Sequence, residues 1–287
     1  MSKKIKKSDE DYPTTGHEWD GIREYDKPMP RWWLYTFYLC IIFAFGYVIA
    51  YPAIPLIKGA TPGLLGYASR TEVAEHIAQV NAQNAEIEAK LLSTPLEEIS
   101  ADADLNRFAT AGGGAVFRTY CAQCHGDGAQ GAKGYPNLQD DDWLWGGDLA
   151  ALETTIRHGI RTEADEDTRY SEMPKFGEFL ESEEIAALTE YVLQVSGREH
   201  DASLASTGQP MFAENCVACH GEQATGDREQ GAPNLADAIW LYGRDRETIT
   251  ETITKSRFGV MPAWQGRITD AQIKQVTFYV HQLGGGE

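Results

Sequence analysis

The chain has 287 residues, which is enough for two or three small domains. Its formal net charge is −18, and residues 1–31 hold seven basic and seven acidic residues, so the whole excess of acid follows residue 31. Such acidity argues against nucleic acid as a partner, because phosphates would be repelled. It suits a basic protein partner attracted by electrostatic steering, although the acidity could equally serve only to keep the domains soluble.

The first predicted element is a membrane span over residues 32–55. No charged residue occurs between Trp32 and Ile57, and a helix of about 20 residues covers the roughly 30 Å hydrocarbon layer of a bilayer. Aromatic residues cluster toward both ends of the run, as interfacial side chains do, and Pro52 and Pro55 stop the helix. A cleaved signal peptide is the alternative, but the preceding polar segment and the apolar run are both too long for one.

The distribution of basic residues predicts the orientation of this span. The segment MSKKIKK and three further basic residues precede it, whereas only Lys58 and Arg70 follow it closely. By the positive-inside rule, residues 1–31 form a cytoplasmic segment and the rest of the chain lies across the membrane. Residues 56–104 are expected to form a helix and a linker. An apolar stripe from Val73 to about Leu92 would contact a partner subunit or, in the more usual case, pack on its own domain.

From residue 105 the chain repeats itself with a period of about 95 residues. FRTYCAQCHG matches FAENCVACHG, YPNLQDDDWLWGGD matches APNLADAIWLYGRD, and SEMPKFG matches GVMPAWQ. A period this long predicts two tandem helical domains, residues 105–197 and 205–287, joined by a linker over residues 198–204. Ser182 and Thr269 are the predicted N-caps of their final helices.

Each repeat contains a Cys-x-x-Cys-His motif. A thioredoxin-like redox pair would need a βαβ context that is not visible here, and a zinc site would need a fourth ligand. Covalent attachment of a c-type haem explains every position, because cysteines at i and i+3 share a helical face and the next histidine is held under the iron. The predicted cofactors are two covalent haems c. Their expected anchors are Cys121, Cys124, Cys216 and Cys219, with His125 and His220 as proximal ligands.

The second axial ligand is predicted by elimination among the five methionines. Two of them precede the span and Met211 lies just before the second motif, which leaves Met173 and Met261. Each follows its own motif histidine by about 40–50 residues, and each is followed by a proline that pins the loop. His158 is the rival ligand for the first haem, and its alternative interpretation is a polar residue at a helix end.

Each repeat resembles class I cytochrome c. A glycine and a phenylalanine stand before each motif at the spacing of that family: Gly113 and Phe117, then Gly208 and Phe212. In that fold the glycine lets the first helix cross the last one closely, where Tyr191 and Tyr279 match the usual aromatic residue. The resemblance implies a mainly α fold with one N-terminal transmembrane helix and two tandem class I cytochrome c domains.

The segment from residue 14 to residue 57 resembles the dihaem subunit of cbb3-type cytochrome c oxidases. The shared features are Gly-His-Glu-Trp-Asp-Gly-Ile, Pro-x-Pro-Arg-Trp-Trp and a span ending in Tyr-Pro, and the likeness continues through both repeats. It implies a bacterial inner-membrane complex. Some members of the family have two spans, whereas this chain shows one, and with the orientation given above the N-terminus is expected in the cytoplasm and the haem domains in the periplasm. The resemblance also implies a cytoplasmic contact segment made of His17, Glu18, Trp19 and Asp20.

In this family the dihaem subunit passes electrons from a cytochrome c donor toward a monohaem subunit and the catalytic haem–copper subunit, which reduces oxygen. The expected partners are these two subunits, a donor with a basic surface, and membrane lipid, but no nucleic acid. No catalytic residue is expected, because iron with two axial ligands has no open position for a substrate. Two alternatives remain: a free-standing tethered dihaem cytochrome, and a haem-based ligand sensor with a vacant iron position.

Overall fold

The structure is a computed structural model that describes residues 13–286. It divides into two compact units, Met1–Gln83 and Asn84–Glu287, which are considered separately. The basic segment Met1–Lys7, which contributes to the predicted orientation, lies outside the described residues.

The first unit opens with an antiparallel hairpin of strands β1, Thr14–Trp19, and β2, Ile22–Tyr25. Asp20 and Gly21 form its turn with φ of 49° and 80°, and a tight type I′ turn requires positive φ at both central positions. The sequence analysis predicts a contact segment here but no strands. The Asp-Gly pair is the local signal that indicates the hairpin.

Helix α1, Arg31–Ala50, is the one helix among the described residues that is long and apolar enough to cross a membrane. It matches the predicted span but ends at Ala50 rather than near residue 55. Tyr51 is already extended, with φ −114° and ψ 161°, because the proline that follows it disfavours a helical conformation. A short hairpin of β3, Pro55–Leu56, and β4, Gly59–Ala60, comes next.

Helix α2, Ser69–Ser93, has the predicted extent. The first half of its apolar stripe is open to solvent in this chain, since Val73, Ile77 and Val80 are 56%, 55% and 51% exposed. Farther along the same stripe, Leu91 is fully buried. The expectation that the whole stripe packs on its own domain is therefore wrong for its N-terminal half.

The stretch from residue 95 to 104, expected to be a linker, is folded. A 3-10 helix, Leu96–Ala101, buries Leu96 and Ile99, whose spacing of three places both on one side of a 3-10 turn. The Asp102 carboxylate then accepts hydrogen bonds from two backbone N–H groups at the start of the next helix, so this residue is an N-cap.

The second unit is helical. After α2 its helices are α3 Ala103–Val116, α4 Ala122–His125, α5 Leu149–His158, α6 Ser182–Val195, α7 Ala202–Asn215, α8 Val217–His220, α9 Arg246–Lys255 and α10 Asp270–His281. A π-helical turn, Phe117–Cys121, joins α3 to α4. Thr269 caps α10 as predicted, but α6 is capped by Glu181 rather than by Ser182. Residues 202–204 belong to α7, although they were expected to be linker.

The final helices of the two repeats are exchanged, so that each packs against the first helix of the other repeat. Helix α3 packs against α10, and α6 packs against α7. At the first crossing, a Cβ placed on Gly113 would lie 2.2 Å from the carbonyl oxygen of Gln275. At the second, a Cβ placed on Gly208 would lie 2.1 Å from the carbonyl oxygen of Ala187. Both glycines therefore have the predicted role, but each with the final helix of the other repeat.

The aromatic contacts show the same exchange. The ring centres of Phe117 and Tyr279 are 5.7 Å apart, and those of Tyr191 and Phe212 are 5.1 Å apart. Each of these tyrosines therefore contacts the phenylalanine of the other repeat, whereas two separate tandem domains would pair Tyr191 with Phe117 and Tyr279 with Phe212. The short connection between α6 and α7 explains this, because it turns the chain directly back and makes the two helices antiparallel neighbours.

Three buried clusters form the core of this unit. One surrounds the first motif with α5 and α10, and a second surrounds the second motif with α6 and α9. The third joins the end of α2 to α3 and α10. There the Lys274 ammonium group donates to the carbonyls of Leu91, Leu92 and Thr94, which complements the negative end of the α2 dipole.

Candidate haem sites

The first Cys-x-x-Cys-His motif occupies the π-helical turn and α4. The Nδ1 atom of His125 lies 3.0 Å from the carbonyl oxygen of Pro136. A carbonyl only accepts, so Nδ1 carries the proton and Nε2 keeps its lone pair for a metal. Burial lowers the pKa of His125, which favours the neutral, ligating form of the ring.

The second motif repeats this arrangement. His220 is buried, and its Nδ1 lies 3.0 Å from the carbonyl oxygen of Pro233. Burial lowers the pKa of His220 as well. Both proline carbonyls belong to the repeated Pro-Asn-Leu sequence, whose role the sequence analysis missed although its repetition was visible.

The cysteines lie beside these rings. Burial raises the pKa of Cys121 and of Cys216 to about 11, so each sulfur is a neutral thiol at neutral pH until it is modified. Cys124 is exposed, and the Cys219 thiol donates to Gln230 Oε1 at 3.3 Å.

The two methionines are exchanged in the same way as the final helices. Met261 packs on the buried cluster of the first motif together with Cys121, and Met173 packs on the cluster of the second motif together with Cys216. The structure therefore places each methionine beside the motif of the other repeat, whereas the sequence placed it with the histidine that precedes it in its own repeat. The methionine loops lead into α6 and α10, and those helices pack across the repeats.

Backbone contacts hold the Met261 loop against the end of α5. Ile160 and Met261 exchange two hydrogen bonds, of 2.9 and 3.0 Å. A Cβ placed on Gly159 would lie 2.4 Å from the carbonyl oxygen of Met261, so the approach needs glycine. The Met173 loop is held correspondingly by α9, because the Ser256 hydroxyl donates to the Met173 carbonyl at 2.5 Å.

His158, the rival ligand, is engaged elsewhere. Its Nδ1 lies 3.1 Å from Asp165 Oδ1, and both side chains are half-buried at the C-terminal end of α5. Asp167 completes a group whose possible ligand atoms lie within 4.8 Å of one another. A histidine paired with a carboxylate at the negative end of a helix supports the interpretation of His158 as a polar helix-end residue.

Buried side-chain donors without an acceptor show whether the surroundings of the two motifs suit a haem. Among the described residues, three buried side-chain atoms lack a hydrogen-bond partner: Trp145 Nε1, Arg169 Nε and, on α10, Thr277 Oγ1. The first two lie together, since the Arg169 guanidinium carbon is 5.4 Å from the Trp145 ring centre. Buried donors require an acceptor, and the carboxylates of a haem would supply one. By contrast, Trp143 and Trp240 donate to backbone carbonyls. The donor set, with thiols, neutral imidazoles and thioethers, fits haem c.

Comparison with known proteins agrees with this chemistry. The family described as N-terminal domain of cytochrome oxidase-cbb3, FixP, matches residues 12–58. The family described as cytochrome C oxidase, cbb3-type, subunit III, matches residues 108–192 and 203–280. The chain belongs to this cbb3-type subunit III family. Membership confirms the predicted resemblance, the mainly α class with tandem cytochrome c domains, and a role in respiratory electron transport.

Relatives in the cbb3-type subunit III family match nearly end to end. A cbb3-type cytochrome c oxidase subunit CcoP from Cereibacter sphaeroides is 58% identical, with 96% of each chain covered. A subunit FixPc from Rhizobium leguminosarum is 50% identical, with 95% of each covered. A subunit CcoP from Rhodobacter capsulatus is 50% identical, with 96% of each covered. Covalent haem c and a place in an oxidase complex follow from this membership.

Proposed function

We propose that this chain is the membrane-anchored dihaem subunit of a cbb3-type terminal oxidase and relays electrons from a cytochrome c donor to the catalytic haem–copper subunit. The observation that carries the proposal is that a proline carbonyl holds each motif histidine and that a methionine packs on the buried cluster around each motif. A haem iron with these two axial ligands supplies one-electron exchange and offers no position to a substrate. The chain alone therefore reduces no oxygen.

The residues divide into two haem sites. Cys121 and Cys124 would anchor the first haem and Cys216 and Cys219 the second. The exchanged packing supports His125 with Met261 as axial ligands of the first iron, and His220 with Met173 as those of the second. The protein would orient each imidazole through its carbonyl partner and keep water from the iron. Trp145 Nε1 and Arg169 Nε would donate hydrogen bonds to a carboxylate of a haem.

The placement in the membrane follows from the sequence. Helix α1 would anchor the chain in a bacterial inner membrane with a cytoplasmic N-terminus, and the domains of residues 105–197 and 205–287 would be periplasmic. Two exposed surfaces would meet the catalytic and monohaem subunits. One is the hairpin, with Trp19 68% and Ile22 71% exposed, and the other is the open stripe of α2. A basic cytochrome c would dock on the acidic periplasmic part.

The decisive experiment is the cofactor content of the complex isolated gently through this chain. We expect two haems c in this chain, haem b and copper in its companions, and oxygen uptake with reduced cytochrome c. A complex shown to be intact that contains two c haems, no haem b and no copper would instead identify a free-standing tethered cytochrome. Carbon monoxide binding to the native ferrous chain would indicate a vacant iron position and favour the ligand sensor.

A further inference from the structure

We propose that Arg161 is a positioning residue that holds both methionine loops, so that the thioether ligation of both haems depends on this one side chain. The inference rests on the proposed ligation by Met173 and Met261. It concerns a residue just beyond the end of α5 that is neither a ligand nor part of either motif.

The guanidinium group of Arg161 reaches both loops. Its Nε donates to the carbonyl of Ser171, two residues before Met173. Its terminal nitrogen donates to the carbonyl of Gly259 at 3.1 Å, two residues before Met261. A planar guanidinium fork fixes the direction of both bonds, so the two carbonyls are held at a set separation.

The backbone of Arg161 belongs to the same assembly. Its N–H donates to the carbonyl of Arg169 at 2.8 Å, and the neighbouring Ile160 exchanges two hydrogen bonds with Met261. The side chain is half-buried, and burial lowers the pKa of Arg161. A half-buried cation that donates to two loop carbonyls is expected to restrict both loops, because its charged donors bond more strongly than neutral ones.

Arg161 adopts a conformation that costs free energy. Its φ is 53°, in the left-handed region that residues with a Cβ rarely occupy. Ser256, at the end of α9, has φ 57° and also directs its side chain to a methionine loop. Two strained residues that each place a donor on such a loop indicate that the strain is offset by these bonds.

The second repeat has no equivalent of this arginine. Counting from the ends of α5 and α9, Phe258 occupies the position that corresponds to Arg161. The two counterparts contact each other, since the Arg161 guanidinium carbon lies 5.6 Å from the centre of the Phe258 ring. A phenylalanine cannot donate to a carbonyl, so one arginine serves both loops.

The test isolates each loop in the full haem-loaded chain. Met173→His leaves only Met261 to produce the methionine-to-iron charge-transfer band of ferric haem, and Met261→His leaves only Met173. In both backgrounds we expect Arg161→Asn, which tolerates the left-handed conformation, to weaken the remaining band. Loss of a bond from a charged donor should raise the ratio of methionine-free to methionine-bound iron about tenfold.

Two comparison variants sharpen the result. Ser256→Ala should weaken the band only where Met173 is the reporter, and Arg107→Gln, which removes an exposed arginine paired with Asp104, should change neither. Arg161→Lys, which keeps the charge but cannot span both carbonyls, serves if the Asn variant does not fold, and it should weaken at least one band. Insensitivity to Arg161→Asn in either background, or to Arg161→Lys in both, would overturn the shared role of Arg161, as would equal effects of Ser256→Ala in the two backgrounds. A wild-type chain without such bands would overturn the ligation itself.

Discussion

At the residue scale, the role of each motif histidine is decided by a neighbour far along the chain. A buried imidazole can hold its proton on either nitrogen, and the proline carbonyls select Nδ1 in both repeats. Proline has a fixed φ, so Pro136 and Pro233 restrict the direction of these carbonyls. Ring orientation is thus built into the Pro-Asn-Leu loops before any iron is present.

The proposed exchange of methionine ligands leads to a direct prediction. In a variant whose second haem is absent through Cys216→Ala and Cys219→Ala, the remaining haem is the one at His125. We expect Met261→Ala to abolish its methionine-to-iron band, because Met261 packs on the cluster of the first motif. Met173→Ala is the matched control and should leave the band intact. Loss of the band with Met173→Ala instead would restore the pairing within each repeat.

Glu190 of α6 offers a prediction about pH. Its carboxylate accepts hydrogen bonds of 2.5 and 3.1 Å from the Arg246 guanidinium of α9 and of 2.7 Å from the N–H of Asp201. The hydrogen bonds from Arg246 hold the pKa of Glu190 below its usual value. A lowered folded-state pKa contributes stability above the unfolded pKa of about 4.3, and this contribution is lost as the pH falls through the folded value.

We therefore expect Glu190→Gln to lower the melting temperature at neutral pH and to differ progressively less from the native chain below about pH 4. Thermal unfolding of the full chain in detergent, followed by circular dichroism, measures the difference. Glu183→Gln, an exposed residue of the same helix, is the control and should show little difference at either pH. A difference for Glu190→Gln that persists undiminished at about pH 3 would contradict the role of its charge.

The sequence singles out the motif histidines and the two methionines as candidate ligands, because their residue types and spacing repeat. It does not reveal beside which motif each methionine packs, since both loops carry the same Met-Pro signal. Trp145 and Arg169 could not be predicted from the sequence, for a different reason. Tyr242 takes the place of Trp145 in the second repeat, and Arg169 lies in a segment that the second repeat lacks, so repetition does not mark either residue. Only the structure shows that both donors are buried without an acceptor.

At the element scale, the exchange of α6 and α10 follows from repetition itself. Helices that present matching small and aromatic faces can pack on either partner, so the connections decide between them. The short turn from α6 to α7 favours contact between neighbours in the chain. Helix α10 then packs on α3, the remaining first helix. The hydrogen bonds from Lys274 of α10 to the carbonyls at the end of α2 hold α10 in this position.

Adjacent glycines of α3 test this crossing. Gly113→Ala would place a methyl group 2.2 Å from a backbone oxygen of α10, whereas the nearest atom to a Cβ on Gly114 is the movable guanidinium of Arg118, at 3.2 Å. We expect Gly113→Ala to lower the free energy of unfolding by about 1–3 kcal/mol through overpacking. Gly114→Ala should be close to neutral or slightly stabilising, because alanine favours helix. Denaturant unfolding measures both, and equal effects would contradict the close approach at Gly113.

Elements with strong periodicity or caps are predictable from this sequence, and those defined by tertiary contact are not. The extent of α2 and the Thr269 cap follow from local patterns. The 3-10 helix at Leu96–Ala101 does not, because its acidic composition suggests a linker and only the packed core shows where Leu96 and Ile99 are buried. The missed β1–β2 hairpin was predictable from its Asp-Gly turn.

At the scale of the whole molecule, acidic residues are dense in a segment that only the first repeat has. The first repeat has an acidic insertion, residues 162–172, between the end of α5 and Met173, whereas the second passes almost directly from α9 to Met261. Tyr170 and Val260 are 65% and 61% exposed. They adjoin Ser171 and Gly259, whose carbonyls both accept hydrogen bonds from Arg161. Exposed apolar side chains next to an acidic segment are the type of surface that a basic electron donor recognises.

The last prediction concerns the rate of electron entry from a basic cytochrome c. Because long-range attraction accelerates encounter and salt screens it, the second-order rate in stopped-flow mixing should fall about tenfold between roughly 0.02 and 0.2 M salt. Glu163→Gln with Glu166→Gln should lower the low-salt rate and flatten this dependence, since both carboxylates are exposed on the insertion. Glu97→Gln with Glu98→Gln removes the same charge from exposed positions beside α3 and should change the rate less. A rate independent of salt would contradict donor docking by charge, and equal effects of the two double variants would place docking outside the insertion.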